Sequence, residues 1–210
     1  MDLSQPPSPG PLAEPSLVSD AVRRDASIVA ALAHGDSASA FELLVARYEV
    51  KVFSLCMAML RDEGQAQDAA QDVFLRVWRA LGSYDSHAAA PSTWLYAIAR
   101  NRCLTLLARR GPVQASLSEP DVWTEVASLA DVAPGHDLAP AIMLGHLIDG
   151  LPLAYRSCLT LFYYDDRSIT DVAAMLGLPE GTVKTHLYRA RKLLLAAFQQ
   201  RGLDDPALWL

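Results

Sequence analysis

The sequence is short of cysteines, aromatic residues and bases, and it has no long apolar run. Three cysteines in 210 residues, Cys56, Cys103 and Cys158, are odd in number and far apart. That excludes a disulfide framework and a CxxC metal site, and each thiol sits in an apolar helical context that reads as buried and free. No apolar stretch approaches the ~18 residues of a membrane span. The N-terminal residues carry acids and prolines rather than a basic-then-apolar leader. The expected location is therefore cytoplasmic, without membrane insertion. A phosphate loop, an HExxH pair and a nucleophile elbow are all missing. The five histidines (34, 87, 136, 146 and 186) lack ligand spacing. No catalytic residue, metal ligand or cofactor is assigned, and an enzyme is disfavoured. Alternating strand patterns are missing as well, so the expected class is all-α.

What the chain does have is charge in blocks. Acids outnumber Lys and Arg 24 to 18, for a formal charge of −6. Between Asp62 and Asp72 lie four acids (62, 63, 68 and 72) and no base. Between Thr93 and Arg110 lie four arginines (100, 102, 109 and 110) and no acid. Between Gly111 and Asp137 lie five acids (119, 121, 125, 131 and 137) and neither Lys nor Arg. Such blocks point to partners of different sign rather than to one basic nucleic-acid face.

Helical periodicity organises the rest. Residues 1–24 form a Pro-rich tail, expected to be disordered. Residues 25–110 read as the first helical domain. Its first stripe is Phe41, Leu44, Val45, Tyr48, Val52, Leu55 and Met59. A second is Ala66, Ala69, Ala70, Val73, Phe74, Val77, Trp78 and Leu81, with Gly82 expected to end the helix. A loop follows, and Ser92 or Thr93 is the expected cap of a helix running to Gly111. In that helix Leu95, Ile98, Ala99, Cys103 and Leu106 form a plausible inward stripe. Residues 111–137 are an acidic, flexible linker with room for one short helix in "VWTEVASLA". Residues 138–201 form the second helical domain, and 202–210 a C-terminal tail.

The second domain carries the most specific pattern. Ser168 caps "ITDVAAML", Gly177 ends it, "GLP" turns the chain, and a cationic helix runs from Glu180 to about Gln200. This is a helix-turn-helix, whose second helix can present its N-terminal residues to base edges in a major groove. Here these are Glu180, Thr182, Lys184, Thr185 and His186, while Arg189, Arg191 and Lys192 suit phosphates. Val183, Leu187, Ala190 and Leu194 leave one apolar stripe for docking on the domain. An amphipathic surface helix with a basic face is the plain alternative; the capped helix and Gly turn before it favour DNA.

These residues bear a resemblance. "LPLAYRSCLTLFYYDDRSITDVAAMLGLPEGTVKTHLYRARKLL" resembles the promoter −35-binding domain of bacterial RNA polymerase sigma factors, the extracytoplasmic-function (ECF, group IV) group above all. "AFELLVARY", "AQDAAQDVFLRVWRAL" and "STWLYAIARNRCLTLLARR" resemble that family's domain for core polymerase and the −10 element. Gln67, Thr105, Ala108 and Arg167 depart from the family pattern, where Glu, Asp, Arg and an apolar residue are usual.

The resemblance implies a non-catalytic specificity subunit. Its partners would be core polymerase (the largest subunit's clamp helices and the flap), duplex DNA at −35, single-stranded DNA at −10, and an anti-sigma factor. Asp68, Gln71, Asp72 and Leu75 share the helix face opposite the core stripe, the face the resemblance assigns to the clamp. A solvated face with a simple Asp72–Arg76 pair is the alternative. Arginines near aromatics suit single-stranded DNA, which points to Trp94, Tyr96, Arg100, Asn101, Arg109 and Arg110. Core packing is the alternative for Trp94. Ser83, Tyr84 and Asp85 are the loop residues for a flipped −10 base. An ordinary helix-turn-helix regulator would need a sensor or receiver domain, with strand–helix alternation or a pocket-forming fold, that the sequence does not offer.

Overall fold

The computed structural model describes residues 23–110, Leu117 and 140–200. The tails at 1–22 and 201–210, the linker other than Leu117, and its expected short helix lie outside the described residues. Eight α-helices and no strand occur among the described residues.

Of the first four helices, α2 and α3 start at capping aspartates. Helix α1 spans Ala26–Ala33. Asp36 accepts from the Ser39 N–H at 3.0 Å and starts α2, Ser37–Leu60. Arg61 stops α2 by turning left-handed at φ 56°. Asp62 accepts from the Gln65 N–H at 2.8 Å and starts α3, Glu63–Ala80. Gly82 does not end α3 directly; a 3-10 turn over Leu81–Ser83 carries the chain into the loop. Helix α4 is Pro91–Ala108. Its start differs from expectation: Ala90 is the cap residue, Pro91 takes the first helical position, and neither Ser92 nor Thr93 caps. Ser92 is buried, and its N–H donates to the Asp25 carboxylate at 2.8 Å.

Within the described residues the second set begins at α5, Pro140–Asp149. Pro152 precedes α6, Leu153–Leu159, which widens into a π-turn over Thr160–Tyr164, closed by the Asp165 N–H on the Thr160 carbonyl at 3.0 Å. Ser168 caps α7, Ile169–Leu176, by accepting from the Asp171 N–H at 3.1 Å. Gly177 ends α7 at φ +61°, and α8 runs Glu180–Gln200.

The apolar stripes meet in one continuous core that joins both sets of helices. Leu44, Tyr48, Val52, Leu55 and Met59 of α2 are buried with Ala66, Val73 and Val77 of α3 and Leu95, Ala99 and Cys103 of α4. Trp78 is an exception: it stays half in solvent and meets the Phe41 ring edge-on at 5.1 Å. In α8, Val183, Leu187 and Ala190 are buried as the stripe predicts. The two sets touch where α4 lies on α7 and where α2 lies on α6. All three cysteines are buried and free.

Candidate functional site

Helix α3 presents its polar face away from the core. Asp68, Gln71 and Leu75 are exposed, Leu75 at 53%. Asp72 is half-buried and doubly held, by Arg76 at 2.9 Å and by Arg102 of α4 at 2.7 Å. The i,i+4 pair is real, but the reach of Arg102 ties the face to α4 as well. An exposed leucine flanked by acids and an amide is the mixed texture of a contact face.

The loop after α3 is organised by its own side chains. Ser83 Oγ donates to the Ala80 carbonyl at 2.9 Å, Tyr84 Oη to that of Ala89 at 2.5 Å, and Asp85 accepts from the His87 N–H at 2.8 Å. The Tyr84 and Trp94 rings lie 5.0 Å apart. Burial, then the fields of Asp25 and Asp85, push the Tyr84 phenol up to about 12, so it stays a neutral donor. Trp94 is half-buried against the core.

Along α4 the expected −10 residues separate. Asn101 and Arg109 are exposed. Arg110 is engaged with the Leu60 carbonyl at 3.2 Å and with Gln65. Arg100 is half-buried, and its guanidinium lies against Gly177 so closely that a Cβ there would stand 3.2 Å from it. Tyr96 is fully buried and donates its hydroxyl to Asp165, from the second set of helices. In this arrangement the structure therefore does not present Tyr96 to solvent, contrary to the reading of an open aromatic, because Asp165 and Arg167 cover it.

In the helix-turn-helix, Thr170 of α7 donates to Glu180 of α8 at 2.8 Å and Thr185 Oγ1 donates to the Gly181 carbonyl at 2.9 Å. Lys184, Thr185, Arg189 and Lys192 are exposed, and Thr182 is half-buried. Arg191 folds back, its Nε on the Leu187 carbonyl at 3.2 Å and its Nη1 3.4 Å from the Tyr163 hydroxyl. His186 departs from the expected base-reading role in this arrangement. It is buried, its Nε2 lies 3.2 Å from the Leu117 carbonyl, and its ring stacks tilted on Tyr155 at 5.3 Å. Burial lowers its pKa below 6.5 against the opposing effect of the Leu117 carbonyl, with Arg189 lowering it further.

Sequence reasoning missed the polar residues between the two sets. Arg167 is the largest fully buried side chain, its guanidinium 5.3 Å from the Tyr48 ring centre and 5.2 Å from that of Tyr96. Tyr48 donates to Asp25, and Tyr96 to Asp165. Only the departure of Arg167 from an apolar residue gave a signal in the sequence.

A helix-turn-helix with exposed cations on its second helix, joined to a four-helix region with a mixed contact face, defines a two-region DNA-binding transcription protein. Comparison with known proteins makes the class specific. Residues 44–112 match the family model "Sigma-70 region 2" and residues 141–194 match "Sigma-70, region 4". The chain is 32% identical over 185 residues to the RNA polymerase sigma-H factor of Pseudomonas aeruginosa, covering 84% of this chain and 94% of that one. It is 34% identical over 172 residues to the ECF RNA polymerase sigma factor SigM of Mycobacterium tuberculosis, with 82% and 83% covered. It is 31% identical over 178 residues to the ECF RNA polymerase sigma-E factor of Escherichia coli, with 81% and 92% covered. Among solved structures, CnrH in complex with the cytosolic domain of CnrY matches at TM-score 0.59 and 23% identity, over 84% of this chain and 98% of that one. The sigma factor RpoE in complex with the anti-sigma factor NepR, from Bartonella quintana, matches at TM-score 0.57 and 20% identity, over 76% and 96%. The chain belongs to the ECF sigma factors of bacterial RNA polymerase, the subunits that direct the enzyme to promoters.

Proposed function

We propose that α3 docks on the polymerase clamp through Asp68, Gln71, Asp72 and Leu75, and that α8 reads the −35 duplex through Glu180, Thr182, Lys184, Thr185 and His186, with Arg189, Arg191 and Lys192 on phosphates. The −10 strand is held by α4 and the preceding loop: Ser83, Tyr84, Asp85, Trp94, Tyr96, Arg100, Asn101, Arg109 and Arg110. The domain limits are those of the sequence reading, 25–110 and 138–201, with the acidic linker threading a cationic channel of the polymerase. The flap of the polymerase would carry the second domain. Chemistry belongs to the polymerase; this chain is non-catalytic and works in the cytoplasm. None of the helices among the described residues is long and apolar enough to cross a membrane.

The observation that carries this reading is the separation of two faces on one chain. Leu75 with its acidic neighbours is exposed on one helix, and Lys184, Arg189 and Lys192 are exposed on another. Few exposed cations on a chain of charge −6 neutralise few phosphates, so free DNA affinity is small. Docking raises the effective concentration at both promoter elements together.

An anti-sigma factor is the proposed regulator. An open apolar groove of about 680 Å³ is lined by Phe53, Met57, Leu144, Ile148, Leu159 and Tyr163, where α2 meets the second region. Its shape and lining suit an amphipathic helix. The two structural neighbours were each solved with such an inhibitor or with the cytosolic domain of another protein.

The test is a pair of variants assayed for co-purification with core polymerase and for transcription from a mapped start. Leu75→Arg should weaken core association roughly tenfold or more. Arg189→Glu should leave core association intact and weaken −35 duplex binding about uniformly across sequences, with the salt slope reduced by about 1 or more. Wild-type core association by Leu75→Arg would remove the α3 face from the account.

A further inference from the structure

We infer that residues 203–210, which follow α8 in sequence, seat their apolar side chains in the groove between α2, α5 and α8 as an internal ligand. The seating itself goes beyond the proposed function; its regulatory consequence rests on the reading of that groove as the inhibitor's site.

The groove is apolar and open. Phe53 and Met57 of α2, Leu144 and Ile148 of α5, Leu159 of α6 and Leu194 of α8 wall about 680 Å³. Tyr163 and Tyr164 stand at its rim with 56% and 61% of their surface exposed, and Leu195, next to Leu194, is 55% exposed. Large apolar side chains gathered at one depression of a surface mark a place where another segment binds. A concave groove takes a narrow stretch of chain rather than the convex face of a second copy.

Residues 203–210 match the groove in composition, reach and charge. Leu203, Leu208, Trp209 and Leu210 put four large apolar side chains into eight residues, with Pro206 and Ala207 between them. Residues 1–22, by contrast, carry no aromatic side chain. Leu194 stands in the groove wall, and Gly202, a residue type that ends helices, follows eight positions later. Eight residues of helix rise about 12 Å. The residues after Gly202 span up to about 26 Å when extended. A reversal at Gly202 therefore returns Leu208, Trp209 and Leu210 to the groove. The lining holds one charge of each sign, Arg191 and Asp149. The segment brings Asp204 and Asp205, with Arg201 just before them.

The tether decides the occupancy. Joined to α8, the segment has an effective concentration on the order of millimolar. Against a free-peptide dissociation constant of roughly 0.1 mM, that fills the groove about nine-tenths of the time. An external amphipathic helix then binds about tenfold more weakly, because only the vacant fraction accepts it. Residues 203–210 thus set a threshold that an inhibitor must exceed.

The experiment uses the full chain with p-benzoylphenylalanine, a photoreactive aromatic, in place of Trp209. Irradiation of the free protein, then trypsin and mass spectrometry, should join the peptide that begins at Gly202 to the peptide 52–61, which holds Phe53 and Met57, or to Leu144 or Ile148. The yield should not change on dilution. Adding Leu208→Asp with Leu210→Asp alters no residue of the described core and should lower the yield at least several-fold. No cross-link beyond α8, cross-links between copies that grow with concentration, or a yield indifferent to the two substitutions would each overturn the seating. Neither polymerase nor inhibitor takes part, so such a failure leaves the co-purification and promoter assays standing, and their failure leaves the cross-link intact.

Discussion

At the residue scale, three residues carry most of what is particular to this chain. Gly177 combines a left-handed turn with the close approach of Arg100. Gly177→Ala should lose about 1–2 kcal/mol from the backbone alone, read as a lower midpoint of thermal unfolding. Arg167 is buried between two tyrosine rings with none of its guanidinium nitrogens hydrogen-bonded among the described residues. Asp165 is buried close enough for the Arg167 charge to lower its pKa against the larger effect of desolvation. Removing one charge from beside a buried group of opposite sign is destabilising, unlike replacing a whole pair. Arg167→Met should therefore lower the unfolding midpoint in denaturant; an unchanged or raised midpoint would mean that the desolvation of the guanidinium outweighs its partners. His186 gives the pH dependence. Its pKa is lowered below 6.5, mainly by burial, so the unfolded chain takes up a proton that the folded one refuses. The contribution is complete above pH 6.5 and is lost as pH falls from there through the folded value. The stability difference between wild type and His186→Gln should shrink across that window, measured by denaturant titration at each pH.

At the scale of the element, periodicity and caps made the helices legible. Ser168 and Gly177 bound α7 as the sequence predicts, because a short oxygen side chain and a residue free of Cβ are what a helix start and a left-handed stop require. The start of α4 was misread because Ser92 is sequestered: its N–H serves Asp25, from the turn before α1, a pairing across 67 residues that local pattern cannot see. Trp78 fits the α3 stripe by spacing, yet it sits at the stripe's edge against Phe41 rather than within the core. The candidate faces were legible wherever exposure alone was needed, as for Leu75 or Lys184. They were illegible where distant residues intervene: the second region at Tyr96 and Arg100, and Leu117 of the linker at His186. The cap of α3 offers a local test: Asp62→Ala should cost about 1 kcal/mol in thermal stability by freeing the Gln65 N–H.

At the scale of the whole molecule, charge placement limits what the free chain can hold: the overall charge of −6 limits non-specific DNA binding. In the proposed account core polymerase supplies both a dock for α3 and the spacing of the two promoter elements. The most direct measurement is nuclease protection of a promoter fragment taken from a mapped transcription start, with the chain alone, core polymerase alone, and both together. The account predicts specific protection of the −35 and −10 elements only by the assembled pair. Equal protection of that fragment by the chain alone, at matched salt and concentration, would contradict it.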